Sequence, residues 1–221
     1  MKILCIDTSG KTCSCAICED ERAICERTLD EGLTHSETLM PLIDALFAES
    51  GLDIRDTNVV AVVNGPGSFT GIRIGICAAK GFAQTLGIPA AEIDTLELLA
   101  KNAEGFDGLI VPMLDARRGQ VYAALFENGK RLCEDMAAPV EDIVSLVGCR
   151  RAVFLGDGAE ALKDKISELK PDAEFGDCNY PLAKNAATIA LHAQKTDAKG
   201  IMPNYLRESQ AERKKHEREG R

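Results

Sequence analysis

The chain has 221 residues, 45% of them hydrophobic and 28% charged, which is the make-up of an ordinary globular protein with length for one large domain or two small ones. A formal charge of −9 excludes a protein that grips nucleic acid by itself, because phosphate contacts need a cationic surface. There is no apolar run of about 18 residues to span a membrane, and Met1-Lys2-Ile3-Leu4-Cys5-Ile6-Asp7 reaches an aspartate too soon for a signal peptide, so a cytoplasmic setting is expected.

Met1–Asp7 reads as a strand, Thr8–Lys11 as a polar turn and Thr12–Cys18 as the returning strand. Nine cysteines is a high and odd count, and Cys5, Cys13, Cys15, Cys18 and Cys25 all fall in this opening. Alternation puts Cys13, Cys15 and Ile17 on one strand face and Cys18 on the other. The paired Cys-x-x-Cys knuckles of a zinc site are missing, so these residues read as small core hydrophobes. His35, His192 and His216 are isolated; no metal site is expected.

Glu19-Asp20-Glu21 turns the chain into a third strand, Arg22–Leu29. Ser36–Ser50 is helical by the spacing of Leu39, Leu42, Ile43 and Leu46. Met40 and Phe47 widen that stripe beyond what one buried face needs. Gly51 stops the helix, and Val59–Val63 is a β-branched run suited to a parallel strand buried on both faces. Asn64-Gly65-Pro66-Gly67-Ser68-Phe69-Thr70-Gly71 then opens a helix that runs to about Leu86, with Gly87 and Pro89 as stop signals. Ala90–Ile93 is a brief strand and Thr95–Asn102 a helix.

The opening pattern recurs. Leu109–Leu114 is an apolar strand, Asp115-Ala116-Arg117-Arg118-Gly119 a turn and Gln120–Phe126 a strand, with Glu127-Asn128-Gly129 turning into Lys130–Cys133. When Asp7 is laid on Asp115, Glu19-Asp20 falls on Glu127-Asn128 without a gap. This predicts an α/β protein with mixed sheets, in two related lobes: residues 1–104 and 105–221. The second lobe continues with a helix at Val140–Val147, a strand at Ala152–Leu155, the turn Gly156-Asp157-Gly158, a helix at Ala159–Leu169 and a last core helix at Ala183–Gln194. From Arg207 the chain is charged and lacks Leu, Ile, Val and Phe, and is expected to be a solvated extension.

Strand, glycine turn, helix is a layout that can present N–H groups to an anion, or can simply be a tight structural turn. The P-loop pattern fails because Gly71 is followed by Ile72-Arg73; the dinucleotide pattern fails because Thr70 stands where the third glycine belongs. The helix Gly71–Leu86 carries only Arg73 and Lys80 as charges and must be covered nearly all round. It is either a central helix of its own lobe or part of a protein–protein surface. In the second case the contact residues are Leu39, Met40, Ile43 and Phe47 of one helix with Ile72, Gly75, Ala79 and Phe82 of the other.

Ile6-Asp7-Thr8-Ser9, His35-Ser36-Glu37, Gly65-Pro66-Gly67-Ser68-Phe69-Thr70-Gly71-Ile72-Arg73-Ile74-Gly75, Lys80-Gly81, Asp115-Ala116-Arg117-Arg118-Gly119-Gln120-Val121-Tyr122 and Tyr205-Leu206-Arg207 together resemble the TsaB (YeaZ) family, over residue 3 to about residue 210. The resemblance implies a two-lobed actin/Hsp70/sugar-kinase (ribonuclease H-like) fold with a reduced second lobe. It also implies a non-catalytic subunit that activates a TsaD-like transferase in N6-threonylcarbamoylation of adenosine 37 of tRNAs reading ANN codons. A TsaE-like ATPase would join the complex, the isolated chain would dimerise, and tRNA would be met only through the complex. Where the TsaD relative carries two metal-holding histidines four apart, this chain has Thr95 and Leu99, so neither a transferase nor a peptidase centre is expected.

Folds of this type clamp ATP between their lobes. The corresponding turns here are Asp7, Thr8 and Ser9, Gly67 and Ser68, Asp115 and Arg117, and Gly156 and Gly158, and they read as a degenerate phosphate site. No cofactor is expected beyond weak nucleotide binding. The rival reading is a free-standing ATP-dependent phosphotransferase with Asp7 or Asp115 on Mg²⁺.

Overall fold

The computed structural model describes residues 1–30 and 34–207; the charged stretch after residue 207, His216 included, lies outside them. β1 (Lys2–Asp7) and β2 (Cys13–Glu19) form an antiparallel hairpin in which Asp7 lies opposite Ser14. β3 (Arg22–Leu29) follows at the edge. After α1 (His35–Ser50), β4 (Val59–Gly65) pairs parallel with β1, and after α2 (Phe69–Leu86), β5 (Ala90–Asp94) pairs parallel with β4. The path β3-β2-β1-β4-β5 is an antiparallel meander continued by parallel strands.

The second lobe repeats that path. β6 (Leu109–Asp115) pairs antiparallel with β7 (Gln120–Ala123) and parallel with β11 (Ala152–Leu155), and β12 (Glu174–Phe175) lies beyond β11. β8 (Phe126–Glu127), β9 (Lys130–Arg131) and β10 (Met136–Pro139) complete the meander. The repeat extends to single bonds: the Ser9 N–H donates to Asp7 Oδ1 at 2.8 Å, and the Arg117 N–H to Asp115 Oδ1 at 2.8 Å. The following turns each place a non-glycine residue in the left-handed region, Asp20 at φ 53° and Asn128 at φ 51°, as their short polar side chains allow.

Three expectations need correction. The helix read as Ala159–Leu169 is two, α5 (Asp157–Ala161) and α6 (Lys163–Leu169), broken at Leu162. β7 ends at Ala123, short of Phe126. The largest change concerns the lobe boundary at the C-terminal side. α7 (Ala186–His192) packs on the first sheet, where Ala183, Ala186, Ala187 and Ala190 meet Ile3, Cys5, Cys18, Val59 and Ala61. β13 (Lys195–Thr196) pairs with β5, and Ile201 is buried beneath α1 and α2. Residues 183–201 therefore complete the first lobe and not the second. The cause is simple: α1 and α2 cover one face of a sheet that is apolar on both, so the other face needs a cover. The same two-sided burial explains the cysteines. Cys13, Cys15 and Ile17 face α1 and α2, while Cys5 and Cys18 face α7; among the described residues no three His, Cys, Asp or Glu side chains are grouped to hold a metal.

α4 (Val140–Val147) covers the second sheet, and α3 (Thr95–Ala100) forms the seam between lobes. Leu98 packs into the first lobe, whereas Leu96, Leu99 and Ala100 pack against Ile110, Leu114, Val153 and Leu155 of the second. Asp94 caps α3, its Oδ1 accepting from the Glu97 N–H at 2.8 Å. Arg131 reaches across from β9, 2.6 Å from Asp94 Oδ1, and also pairs with Asp135. Burial, and a hydrogen bond shared with Asp135, push the Asp94 carboxyl up to about 7 against the pull of Arg131. Between roughly pH 4 and pH 7 the folded chain therefore holds a proton that the unfolded chain has lost, so stability falls as pH rises through that window, by at most about 4 kcal/mol. Asp94→Asn keeps a capping side chain and should flatten that loss, measured by denaturant unfolding at pH values either side of the window.

Candidate functional site

The loop after β4 is built around close approach. Ser68 caps α2, its Oγ accepting from the Gly71 N–H at 3.2 Å, and its own N–H donates to the Ser9 carbonyl at 2.7 Å. Thr8 Oγ1 donates to the Gly71 carbonyl at 2.7 Å. A Cβ on Gly67 would stand 2.3 Å from the Ser9 carbonyl oxygen, one on Gly71 2.0 Å from that of Thr8, and one on Gly75 2.5 Å from Thr8 Oγ1. The glycines are there so that α2 can lie on the end of β1. The backbone they admit is the chain's own.

That finding corrects the expected partner surface. Leu39, Ile43, Ile72, Gly75 and Ala79 are all buried in the first-lobe core, where no partner can reach them. Met40 is 45% exposed, and Phe47 and Phe82 are half-buried. The stripe that α2 turns outward is Ile74, Cys77, Ala78 and Gly81, spaced i, i+3, i+4, i+7 and none of them buried. The sequence reading missed it because a helix with only two charges has no broad polar face to mark its orientation. A signal was nevertheless present: Arg73 and Lys80, the only charges on the helix, flank that stripe and have to reach water.

Between the lobes lies a cleft of about 480 Å³, walled by Ser9, Lys11, Ser68, Asp115, Arg117 and Asp157 among others. It brings together Ser9, Gly67, Ser68, Asp115 and Arg117 of the expected phosphate turns. Asp7 and Thr8 do not join them; both are fully buried behind the wall. Burial raises the Asp7 carboxyl above its ordinary value, opposed by hydrogen bonding from Ser9 and by the charge of His35. Gly156 and Gly158 pack on β6, where their Cβ positions would fall 2.2 Å from the Met113 carbonyl oxygen and 2.7 Å from the Leu114 carbonyl carbon. They repeat the role of Gly67 and Gly71.

The cleft sets Lys11, Arg117 and Arg207 against Asp115 and Asp157. Both Asp115 oxygens are engaged, one by the Arg117 N–H at 2.8 Å and the other by its guanidinium at 3.5 Å. The Asp157 Oδ1 accepts from the Asp115 N–H at 3.0 Å. Asp7, whose Oδ2 has no hydrogen-bond partner, is sealed behind the wall, and Asp115 is engaged by Arg117, so the two carboxylates expected to hold Mg²⁺ do not converge in the cleft. Thr95 and Leu99 fare no better as metal donors: both are fully buried, and Leu99 is packed in the apolar seam.

A family model described as "TsaD: tRNA N6-adenosine threonylcarbamoyltransferase" matches residues 32–215. The chain is 34% identical to the "tRNA threonylcarbamoyladenosine biosynthesis protein TsaB" of Bacillus subtilis, over 97% of this chain and 97% of that protein. The chain belongs to the TsaB family. A solved structure of YeaZ from Pseudomonas aeruginosa matches with a TM-score of 0.81 at 24% identity, covering 93% of this chain and 99% of that one. A ROK hexokinase from Thermus thermophilus matches at 0.50 and 12% identity, covering 87% and 98%. At these identities the two structures speak to the fold alone, and they agree with the two-lobed sugar-kinase-like architecture.

Gly75, on the buried face of α2, and Gly81, the last residue of its outward stripe, should respond in opposite directions. Gly75→Ala forces a methyl against a hydroxyl already committed to Gly71, and should cost about 1–3 kcal/mol of unfolding free energy. A Cβ on Gly81 meets nothing within 4 Å, so Gly81→Ala should stabilise the isolated chain by about 0.5–1 kcal/mol. Urea titrations of both variants check the pair.

Proposed function

We propose that this chain is the non-catalytic partner subunit of a TsaD-like transferase, acting in the cytoplasm in N6-threonylcarbamoylation of adenosine 37 of tRNAs reading ANN codons. It docks through the outward faces of α1 and α2 and holds the catalytic subunit in its active arrangement. The single observation that carries this reading is the surface itself. Met40 is exposed, while Phe47, Ile74, Ala78 and Phe82 are half-buried at the edge of the core on two neighbouring helices, and the α2 stripe carries no charge along four positions. Apolar helix faces of this kind bury themselves against another protein.

The rest of the site supports a subunit without chemistry of its own. The histidine places hold a buried threonine and a buried leucine, Asp7 is sealed behind the cleft wall, and Asp115 is paired with Arg117. A negative net charge suits a subunit that leaves RNA contact to its partner. In the absence of the transferase the same face pairs two copies of this chain about a two-fold axis. A TsaE-like ATPase joins the assembled complex.

Ala78→Glu and Met40→Asp put charge into the contact without entering the core. Each should weaken association with the TsaD-like subunit by about 30-fold or more and leave the thermal midpoint of the isolated chain within a few degrees. Titration calorimetry and size-exclusion chromatography read the first, a melting curve the second. Association that survives both substitutions unchanged would remove this surface from the reading.

A further inference from the structure

Residues 202–207 cross the molecule. Beyond the buried Ile201, the Met202 N–H donates to Glu92 Oε1 at 2.6 Å and its carbonyl accepts from Asn64 Nδ2 at 3.1 Å. The Asn204 N–H donates to the Asn64 carbonyl at 2.8 Å. A Cβ on Gly65 would stand 2.3 Å from the Asn204 carbonyl oxygen, so the segment lies directly on the glycine loop. Tyr205 then stacks flat on Phe69, with ring centroids 3.8 Å apart and planes 8° from parallel. Its hydroxyl accepts from Arg73 Nε at 2.8 Å, and the Arg73 guanidinium lies 4.6 Å from the Phe69 ring centre.

Two residues later the segment reaches the other lobe. Arg207 Nη1 donates to the Ala116 carbonyl at 3.2 Å, and Nη2 donates to Gln120 Oε1. The guanidinium also lies 5.7 Å from the centre of the Tyr122 ring. Ala116, Gln120 and Tyr122 belong to the β6–β7 hairpin, and Ala116, Tyr122, Phe69 and Arg207 all line the interlobe cleft. One short segment thus touches the first turn of α2 and the tip of the second hairpin.

We propose that residues 204–207 are a clasp that ties the two lobes across the mouth of the cleft, with Tyr205 as its first-lobe anchor and Arg207 as its second. The seam at α3 is mostly apolar, and its directional tie, Arg131 on Asp94, sits at the start of α3 rather than over the glycine loop. The clasp adds a second directional tie at the mouth of the cleft: a guanidinium fork and a stacked ring, both of which need a fixed orientation. Because Phe69 and Arg73 open the helix whose next residue, Ile74, begins the outward stripe, the clasp also fixes that stripe relative to the second lobe.

Hydrogen–deuterium exchange on the full chain separates a clasp from two unrelated contacts. In a clasp, each anchor protects the far end. Arg207→Ala should speed exchange of the amides at 68–73, and Tyr205→Ala that of the amides at 115–120, each by about tenfold. Exchange that rises only beside the substituted residue overturns the proposal, as does a double variant whose effects at both ends merely add. Should Tyr205→Ala fail to fold, Tyr205→Leu removes the stack while keeping apolar cover over Phe69, and Arg207→Lys keeps the charge without the fork. The same far-end acceleration is expected from both, and its absence counts equally against the clasp.

Discussion

The first lobe depends on one contact, the glycine face of α2 laid on Thr8 and Ser9 at the end of β1. Two hydrogen bonds hold it, from Thr8 Oγ1 to the Gly71 carbonyl and from the Ser68 N–H to the Ser9 carbonyl. Neither could form at these distances if Gly67, Gly71 or Gly75 carried a side chain. With the helix docked that closely, its buried side is fixed as Ile72, Ile76, Ala79 and Ala83, and its opposite side has to face outward. The outward stripe is thus a consequence of an internal contact. The second lobe uses the same device, with Gly156 and Gly158 lying on the end of β6, which is why α5 begins against that strand.

A cleft remains between these two docked turns, and its chemistry follows from how tightly each turn closes. In the first lobe the aspartate at the strand end is drawn fully inside. In the second it stays half-exposed but is held by its own neighbour Arg117, which adopts a left-handed backbone at φ 66°. A working phosphotransferase keeps such carboxylates free for a metal ion. Here one is drawn inside and the other is held by Arg117, while the uncharged stripe of α2 faces outward.

Much of this was legible in the sequence. The hairpins, the buried parallel strand and the glycine loop are marked by periods of two, β-branched runs and turn residues, all of which act locally. The orientation of α2 was not, because Gly75 and Gly81 look alike in sequence and differ only in whether Thr8 stands opposite. Leu39 and Ile43 were placed on a partner surface for a related reason: a stripe widened by Met40 does not say which edge is covered. The fate of residues 183–201 was hidden more deeply. Nothing local to Ala183 or Ala186 shows that the first sheet lacks a cover on its second face; that is a property of strands more than a hundred residues earlier.

That return has a consequence for how the chain is made. The Ala183 N–H donates to Ser14 Oγ across 169 residues of sequence, and α7 shields Cys5 and Cys18 of the opening hairpin. During synthesis, which proceeds from the N-terminus, the first lobe is translated early but has to wait, with one apolar sheet face bare, until the whole second lobe has emerged. The lobe that starts first finishes last, and its newborn form is the state in which this protein is most in need of a chaperone.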